Sequence, residues 1–294
     1  MCGIVGIYLK SEKFESLLGK MLSGMLINMG SRGPDSAGFA IYKKEDDEEY
    51  KYSLCINSLS FEKFKNDLKN KISFSDFKEN SDHVVVKSKD DPKKVLKIIT
   101  SEFKEVSIVG YGKSIEIFKQ VGEPKDVVKK FNLESFSGTH GIGHTRMATE
   151  SAITTDGSHP YSTGEDECLV HNGSLSNHNN LRRKLKKNGI NFNSENDTEV
   201  AAGYISNNLS NKKTLKETLK KGLNDLDGFY TFITGTRKGF AVLRDEIACK
   251  PAVIAETDDY VAIASEFQAM AHLPNVNSAK IFEPEPGIVY SWGN

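Results

Sequence analysis

Cys2-Gly3-Ile4-Val5-Gly6-Ile7-Tyr8 is the stretch on which the fold turns. Ile4 to Tyr8 is a short, apolar, β-branched run, which predicts a buried strand starting almost at the first residue. A strand there holds the terminus rigidly. Removal of Met1, which the small side chain of Cys2 permits, puts a thiol and a free α-amine on one residue. A free Cys titrates near about 8.5 and an α-amine near about 8, so the two can exchange a proton near neutrality. Cys2 is therefore a candidate nucleophile carrying its own base, although alone it is no more than a cysteine at position 2.

Working outward, Ser11 can cap a helix whose apolar residues Phe14, Leu17, Leu18, Met21, Leu22, Met25, Leu26 and Met29 step by three and four. That stripe is expected to pack on a sheet. Gly30 to Gly38 is dense in turn formers and leads into a second strand candidate, Phe39 to Tyr42. Within this loop Arg32 and Asp35 either serve a site or simply pair with each other. From about residue 43 to 136 the composition shifts to charge runs around modest apolar clusters, which reads as an inserted α/β unit. Its predicted elements are strands at Val84–Val86, Val106–Gly110 and Ile115–Phe118, and helices at Pro92–Phe103 and Pro124–Phe131. Gly110-Tyr111-Gly112-Lys113-Ser114 lacks the first glycine of a phosphate loop, since Ser107 stands there, so no nucleotide is expected on it.

Gly138 to Thr149 is too glycine-rich for a helix and suits a strand ending at Arg146. His140 and His144 lie four apart, but without a helix or a third ligand they make no zinc site, and no metal is expected. Cys168-Leu169-Val170-His171 is a strand running into Asn172-Gly173, which alone is a strong hairpin-turn signal. A helix follows from Asn180 to Lys187, and another begins near Asp197, where that carboxylate is either a helix cap or a functional group. Leu215 to Leu226 forms a further amphipathic helix. Phe229–Thr234, Gly239–Leu243, Ala252–Ala255, Tyr260–Ala264 and Gly287–Trp292 are successive short strands, with a short helix from Ser265 to Ala271.

The 294 residues allow a full-sized core. Lys+Arg 39 against Asp+Glu 40 gives a net charge of −1, which offers no general attraction to nucleic acid or an anionic membrane. No apolar run approaches the length of a membrane span. Cys2, Cys55, Cys168 and Cys249 are widely spaced and no signal peptide precedes them, so they read as reduced thiols of a cytoplasmic protein. With no linker between the halves, antiparallel strands and paired helices on both sides of the insertion imply one domain over 1–294, with helices on either face of a two-sheet sandwich.

Assembled, the sequence resembles the class II glutamine amidotransferases, the cysteine branch of the N-terminal-nucleophile hydrolases. The resemblance rests on Cys2-Gly3-Ile4, Arg32-Gly33-Pro34-Asp35, Gly143-His144-Thr145-Arg146 with Thr149, His171-Asn172-Gly173 and Asp197-Thr198-Glu199, in the family's order. It covers residues 1 to 42 and 137 to about 270. It implies an α+β fold, a four-layer αββα sandwich with a small α/β insertion, and hydrolysis of L-glutamine. Cys2 is then the nucleophile, and Asn172 and Gly173 stabilise the oxyanion. Arg146 takes the substrate's α-carboxylate, Asp197 its α-ammonium, and Thr149 and Arg32 assist. His144 and His171 are read as structural supports. The loop after Arg244-Asp245 departs from the pattern, with Glu246 and Ala248 in place of a proline and a glycine, and no role is carried over for it.

The stretches Arg146–Ala152, Leu169–His178, Asp227–Phe232 and Ala248–Val253 are similar to the separate glutaminase subunit of archaeal-type glutamate synthases and N-methylglutamate synthase. That similarity implies a hetero-oligomer in which ammonia passes to partner synthase subunits. It places no cofactor on this chain, flavin and iron–sulfur groups belonging to the partners. Two other functions share these residues: a γ-glutamyl amide hydrolase or peptidase without channelling, and a non-catalytic glutamine-sensing subunit.

Overall fold

The structure is a computed structural model and describes residues 2–45, 48–148 and 152–293. The chain opens with β1 (Gly3–Leu9), α1 (Leu18–Asn28) and β2 (Ser36–Tyr42). Then come β3 (Tyr50–Ile56), α2 (Phe61–Lys69), β4 (Asp76–Asn80), β5 (His83–Ser88), α3 (Pro92–Glu102) and β6 (Val106–Gly112). β7 (Ile115–Val121), α4 (Pro124–Lys130) and β8 (His140–Arg146) follow. The second half runs β9 (Cys168–Leu175), α5 (His178–Lys187), α6 (Asp197–Ser210), α7 (Leu215–Asp225), β10 (Gly228–Thr236) and β11 (Gly239–Arg244). It ends with β12 (Val253–Glu256), β13 (Tyr260–Ala264), β14 (Lys280–Phe282) and β15 (Val289–Trp292).

These strands make a mixed α/β protein of antiparallel sheets. A seven-stranded sheet has the order β14-β12-β13-β1-β8-β2-β7, and a four-stranded sheet the order β15-β11-β10-β9. β1 lies inside the larger sheet, with Val5 opposite Gly143 on one side and Ala264 on the other. Alternation along β1 serves two cores at once. Val5, Ile7 and Leu9 pack with Leu18, Met21, Leu22, Met25 and Leu26 of α1. Ile4 faces the second sheet among Val170, Ile233, Phe240 and Val242. A third core joins the four-stranded sheet to α5, α6 and α7, through Leu185, Val200, Tyr204 and Leu219. The predicted methionine-rich stripe is thus buried as expected, except Leu17, which is 42% exposed because Glu12–Leu17 is a 3-10 turn out of phase with α1. Ser11 makes no capping bond there.

The third sheet, β4-β5-β3-β6, belongs to the inserted region and is covered on one face by α2 and α3. The strand expected at Ile115–Phe118 as part of that insertion belongs elsewhere. β7 pairs with β2, from Ser36 opposite Val121 to Tyr42 opposite Ile115, and closes the edge of the seven-stranded sheet. Two apolar faces explain the assignment. Ile115 and Ile117 enter the core between the sheets, while Phe118 lies tilted against Phe39 at 5.5 Å beside α1 and α4. The separately sheeted part of 43–136 is therefore Tyr50 to Gly112. The turn at Lys113-Ser114, where a phosphate loop fails by one glycine, wraps a carboxylate instead: Asp166 accepts from the amides of Lys113, Ser114 and Ile115 at 2.9, 2.8 and 3.0 Å.

Two local alternatives are settled by the backbone. β9 runs straight through Asn172-Gly173, in register with Thr231 and Tyr230, so no hairpin turn forms there. α6 is capped by Asn196, whose side chain accepts from the Thr198 amide at 2.9 Å, which leaves Asp197 for other bonds.

Candidate active site

Cys2 sits at the mouth of β1. Because Gly3 pairs with Thr145, the ladder sets Cys2 beside Arg146 at the end of β8. The Cys2 thiol is 3.7 Å from the Met147 carbonyl. Burial pushes the thiol up from its ordinary value, while the Met147 contact and the charges of Arg146 and Arg32 pull it back. Arg32 is buried and anchors the residue from behind: its Nε donates to the Cys2 carbonyl at 3.0 Å, and its Nη1 pairs with Glu266. Arg32 and Asp35 therefore do not pair with each other. Asp35 instead accepts from the Ala148 amide at 2.8 Å, and its own amide donates to the Arg146 carbonyl at 3.0 Å. Gly33 is required between them, since a Cβ there would collide with the backbone of Thr145 and Arg146.

The opposite wall comes from the second sheet. β9 is its edge strand. Tyr230, the neighbour of Gly173 on β10, spends its amide and carbonyl on Asp245, so the Gly173 amide lies on the open edge of β9. On that same edge the Leu175 amide donates to Asp197 Oδ2 at 2.8 Å, and the His171 carbonyl accepts from His144 Nε2 at 2.9 Å. Gly173 has φ +153°, and a side chain would meet the Phe229 carbonyl and lie 2.7 Å from His171 Nε2. Asn172 is only 2% exposed, and its Nδ2 has no hydrogen-bond partner among the described residues. A buried amide donor left free is uncommon and invites a ligand acceptor.

Cys2, Arg146, His171, Gly173 and Asp197 line one cavity of about 260 Å³. It is cationic on the Arg146 side and anionic on the Asp197 side, a pattern that suits an α-amino acid. Arg146 Nη1 donates to the Ala152 carbonyl at 3.3 Å. Of the residues singled out from sequence, the structure gathers Cys2, Arg146, Gly173 and Asp197 around this cavity. It sets Asn172 next to Gly173 and Arg32 behind Cys2; Thr149 lies outside the described residues.

Sequence reasoning missed the hub beneath the cavity. The Thr198 hydroxyl meets His159 Nε2 at 2.8 Å and His171 Nδ1 at 2.9 Å, and His144 stacks on His159 at 3.8 Å. Thr198 was visible beside Asp197 but read only as part of a motif, and no local signal in sequence singles out His159. Glu266, likewise missed, lies 234 positions from the arginine it holds. His140 and His144 each have a ring nitrogen committed to a carbonyl, those of Thr236 and His171. Elsewhere Cys55, Asp82 and His83 come within metal-binding reach. There Asp82 already holds His83 Nδ1 at 2.8 Å and Lys130 at 2.9 Å.

Burial pulls His140 down to about 4 and His144 to about 3, and it lowers His159 and His171 as well. All four stay neutral in the folded protein near pH 7, whereas in the unfolded chain each takes a proton below about 6.5. The unfolded state therefore binds more protons as pH falls from there toward the folded values, and stability present above that range is lost. The slope is about 1.4 kcal/mol per pH unit for each such imidazole. A melting series should show Tm falling steadily from pH 6.5 to pH 4.5; a flat profile contradicts neutral burial.

A cysteine at the second position and the head of a central strand, facing an Arg–Asp pair and an edge amide with no partner among the described residues across two antiparallel sheets, defines a class of enzyme. Residues 144–272 match the model of the glutamine amidotransferase domain. The chain belongs to the class II glutamine amidotransferases, within the N-terminal-nucleophile hydrolases. Among particular relatives, it is 52% identical over 298 residues to the glutamine amidotransferase-like protein GlxB of Rhizobium meliloti, covering 99% of this chain and 98% of that one. In fold it resembles glutamine phosphoribosylpyrophosphate amidotransferase from B. subtilis, with TM-score 0.63 and 22% identity. It likewise resembles an allosteric regulatory enzyme of purine biosynthesis, with TM-score 0.65 and 22% identity. The chain spans about half the length of these two solved proteins, 47% and 46%.

Proposed function

We propose that this protein is a glutaminase subunit, hydrolysing L-glutamine through a Cys2 thioester and passing ammonia to a partner synthase of the glutamate-synthase or N-methylglutamate-synthase type. The observation that carries the reading is the shared cavity of Cys2, Arg146, Asp197 and Gly173. Arg146 receives the α-carboxylate, which its forked donors suit, and Asp197 receives the α-ammonium. These two charges aim the side-chain amide at the thiol. The α-amine of Cys2, free once Met1 is removed, takes the thiol proton as sulfur attacks the amide carbon. The Gly173 amide and Asn172 Nδ2 meet the oxyanion, and the C–N bond breaks as the amine returns its proton to the leaving ammonia. Water then cleaves the thioester to glutamate. Arg32 holds Cys2 through its carbonyl, and Thr149 is assigned a hydroxyl contact to the substrate.

The αββα sandwich supports this assignment, since it delivers a strand-borne N-terminus between two sheets. The partner follows from chemistry: ammonia is mostly protonated in neutral water, and ammonium is not a nucleophile. A shielded route to the acceptor avoids that loss. Flavin and iron–sulfur groups belong, in this reading, to the partner chains. The test is substrate profiling of the purified protein, followed by isolation of the complex from its host with an absorbance scan for flavin. L-Glutamine should be preferred and flavin-bearing chains should co-purify. Rapid turnover of γ-glutamyl peptides with glutamine ignored would favour a peptidase. Recovery of this chain alone, fully active, would remove the synthase.

A further inference from the structure

We infer that, given the glutaminase reading of the cavity, Thr198 is a positioning residue for the oxyanion donors on β9 and acts through the imidazole of His171. Thr198 is the second residue of α6 and is 1% exposed. Its hydroxyl lies 2.9 Å from His171 Nδ1 and 2.8 Å from His159 Nε2. One hydroxyl therefore joins two rings, with one proton to give and two lone pairs to receive. The contacts close a circuit. His144 Nε2 meets the His171 carbonyl at 2.9 Å, and a carbonyl only accepts, so that nitrogen carries the proton of a neutral His144. The His144 ring stacks on His159, with centroids 3.8 Å apart. β9 is thus held twice at His171, by its carbonyl from β8 and by its ring from α6. Lys119 of β7 donates to the Ser158 carbonyl at 2.8 Å and so anchors the segment that brings in His159.

The elements joined in this way carry the groups that face the substrate: Arg146 on β8, Asn172 and Gly173 on β9, and Asp197 on α6. The link to the oxyanion donors is steric. His171 and Gly173 lie on one face of β9, and a Cβ added at Gly173 would stand 2.7 Å from His171 Nε2. A tilt of the ring therefore presses on the peptide that carries the Gly173 amide. The far end of the ring has no bond of its own, since His171 Nε2 has no hydrogen-bond partner among the described residues. Asp197 Oδ1, 3.9 Å from Nδ1, is too distant to take the place of the hydroxyl. The direction of the ring thus depends on Thr198. His144 Nδ1 and His159 Nδ1 are also buried without a partner among the described residues. A cluster kept for stability alone would be apolar here, because partly satisfied buried polar groups are costly.

The experiment compares the wild type, Thr198→Val and Thr198→Ser in steady-state hydrolysis of L-glutamine, with nitrogen NMR of isotope-labelled histidine on the same proteins. Thr198→Val keeps the shape and removes the hydroxyl. It should lower kcat about tenfold to 100-fold with KM little changed, because misplaced donors lose contact with the transition state more than with bound glutamine. Thr198→Ser should recover most of that loss. The His171 Nδ1 resonance should move in Thr198→Val and return in Thr198→Ser. Melting curves check that both variants fold. A wild-type kcat in Thr198→Val, or a loss that Thr198→Ser does not recover, would overturn the role. So would a raised KM at constant kcat, which would assign Thr198 to ground-state binding beside Asp197. With an active wild type, unmoved His171 resonances in Thr198→Val remove this role alone; a wild type that releases no ammonia from glutamine removes the glutaminase reading and this role with it.

Discussion

Cys2→Ala is expected to lower ammonia release from L-glutamine by about 10⁴-fold or more, while leaving the melting curve close to that of the wild type. The expectation rests on two features of Cys2. In the proposed mechanism it supplies the nucleophile, and its own α-amine carries the proton. Removing the sulfur therefore removes the covalent route altogether. Structure is spared because the strand begins at Gly3, and the Cys2 carbonyl that Arg32 holds at 3.0 Å remains in alanine. Ammonia is measured directly under saturating glutamine. An unchanged yield from Cys2→Ala would restore the sensing-subunit reading and remove the enzyme.

Asn172→Ala is expected to cost about 100- to 1,000-fold in kcat with KM little changed. Asn172 Nδ2 is a buried donor with no partner in the described residues, and it stands one position from the Gly173 amide on the open edge of β9. A donor that is idle in the ground state and meets charge only as the tetrahedral intermediate forms acts on kcat. Steady-state kinetics with glutamine separates the cases. A raised KM at constant kcat would show that Asn172 binds substrate and not the oxyanion.

Much of this site was legible in sequence because its parts are local and their chemistry is tied to residue type. The glycine-rich run before Arg146 could only be a strand pressed against a neighbour, and β8 is that strand. The apolar, β-branched run of Ile4 to Tyr8 placed Cys2 at a strand head, and α1 packs with the stripe that its spacing predicts. Asn172-Gly173 misled in isolation, because the dipeptide favours turns; the edge position of β9 and the close approach of Phe229 govern there. Long-range pairings were not legible. Arg32 and Asp35 are three residues apart, yet Arg32 reaches Glu266 and Asp35 reaches Ala148. The same holds for Thr198, whose hydroxyl joins histidines from two separate segments. In the inserted region, β3 carries Lys51 and Ser53 between Tyr50, Tyr52 and Leu54, and its charge hid a strand that tertiary packing makes. The strand at Ile115–Phe118 was read as part of the insertion because its pattern cannot say which edge it joins.

The central claim is that Cys2, as the true N-terminus, forms a glutamyl thioester. The most direct measurement is intact-protein and peptide mass spectrometry on enzyme quenched by acid during turnover of L-glutamine. The expected result is a protein lacking Met1, with one glutamyl group on the peptide that begins at Cys2 and no adduct in Cys2→Ala. Fully active protein that retains Met1, or a glutamyl group carried on any other residue, would contradict it.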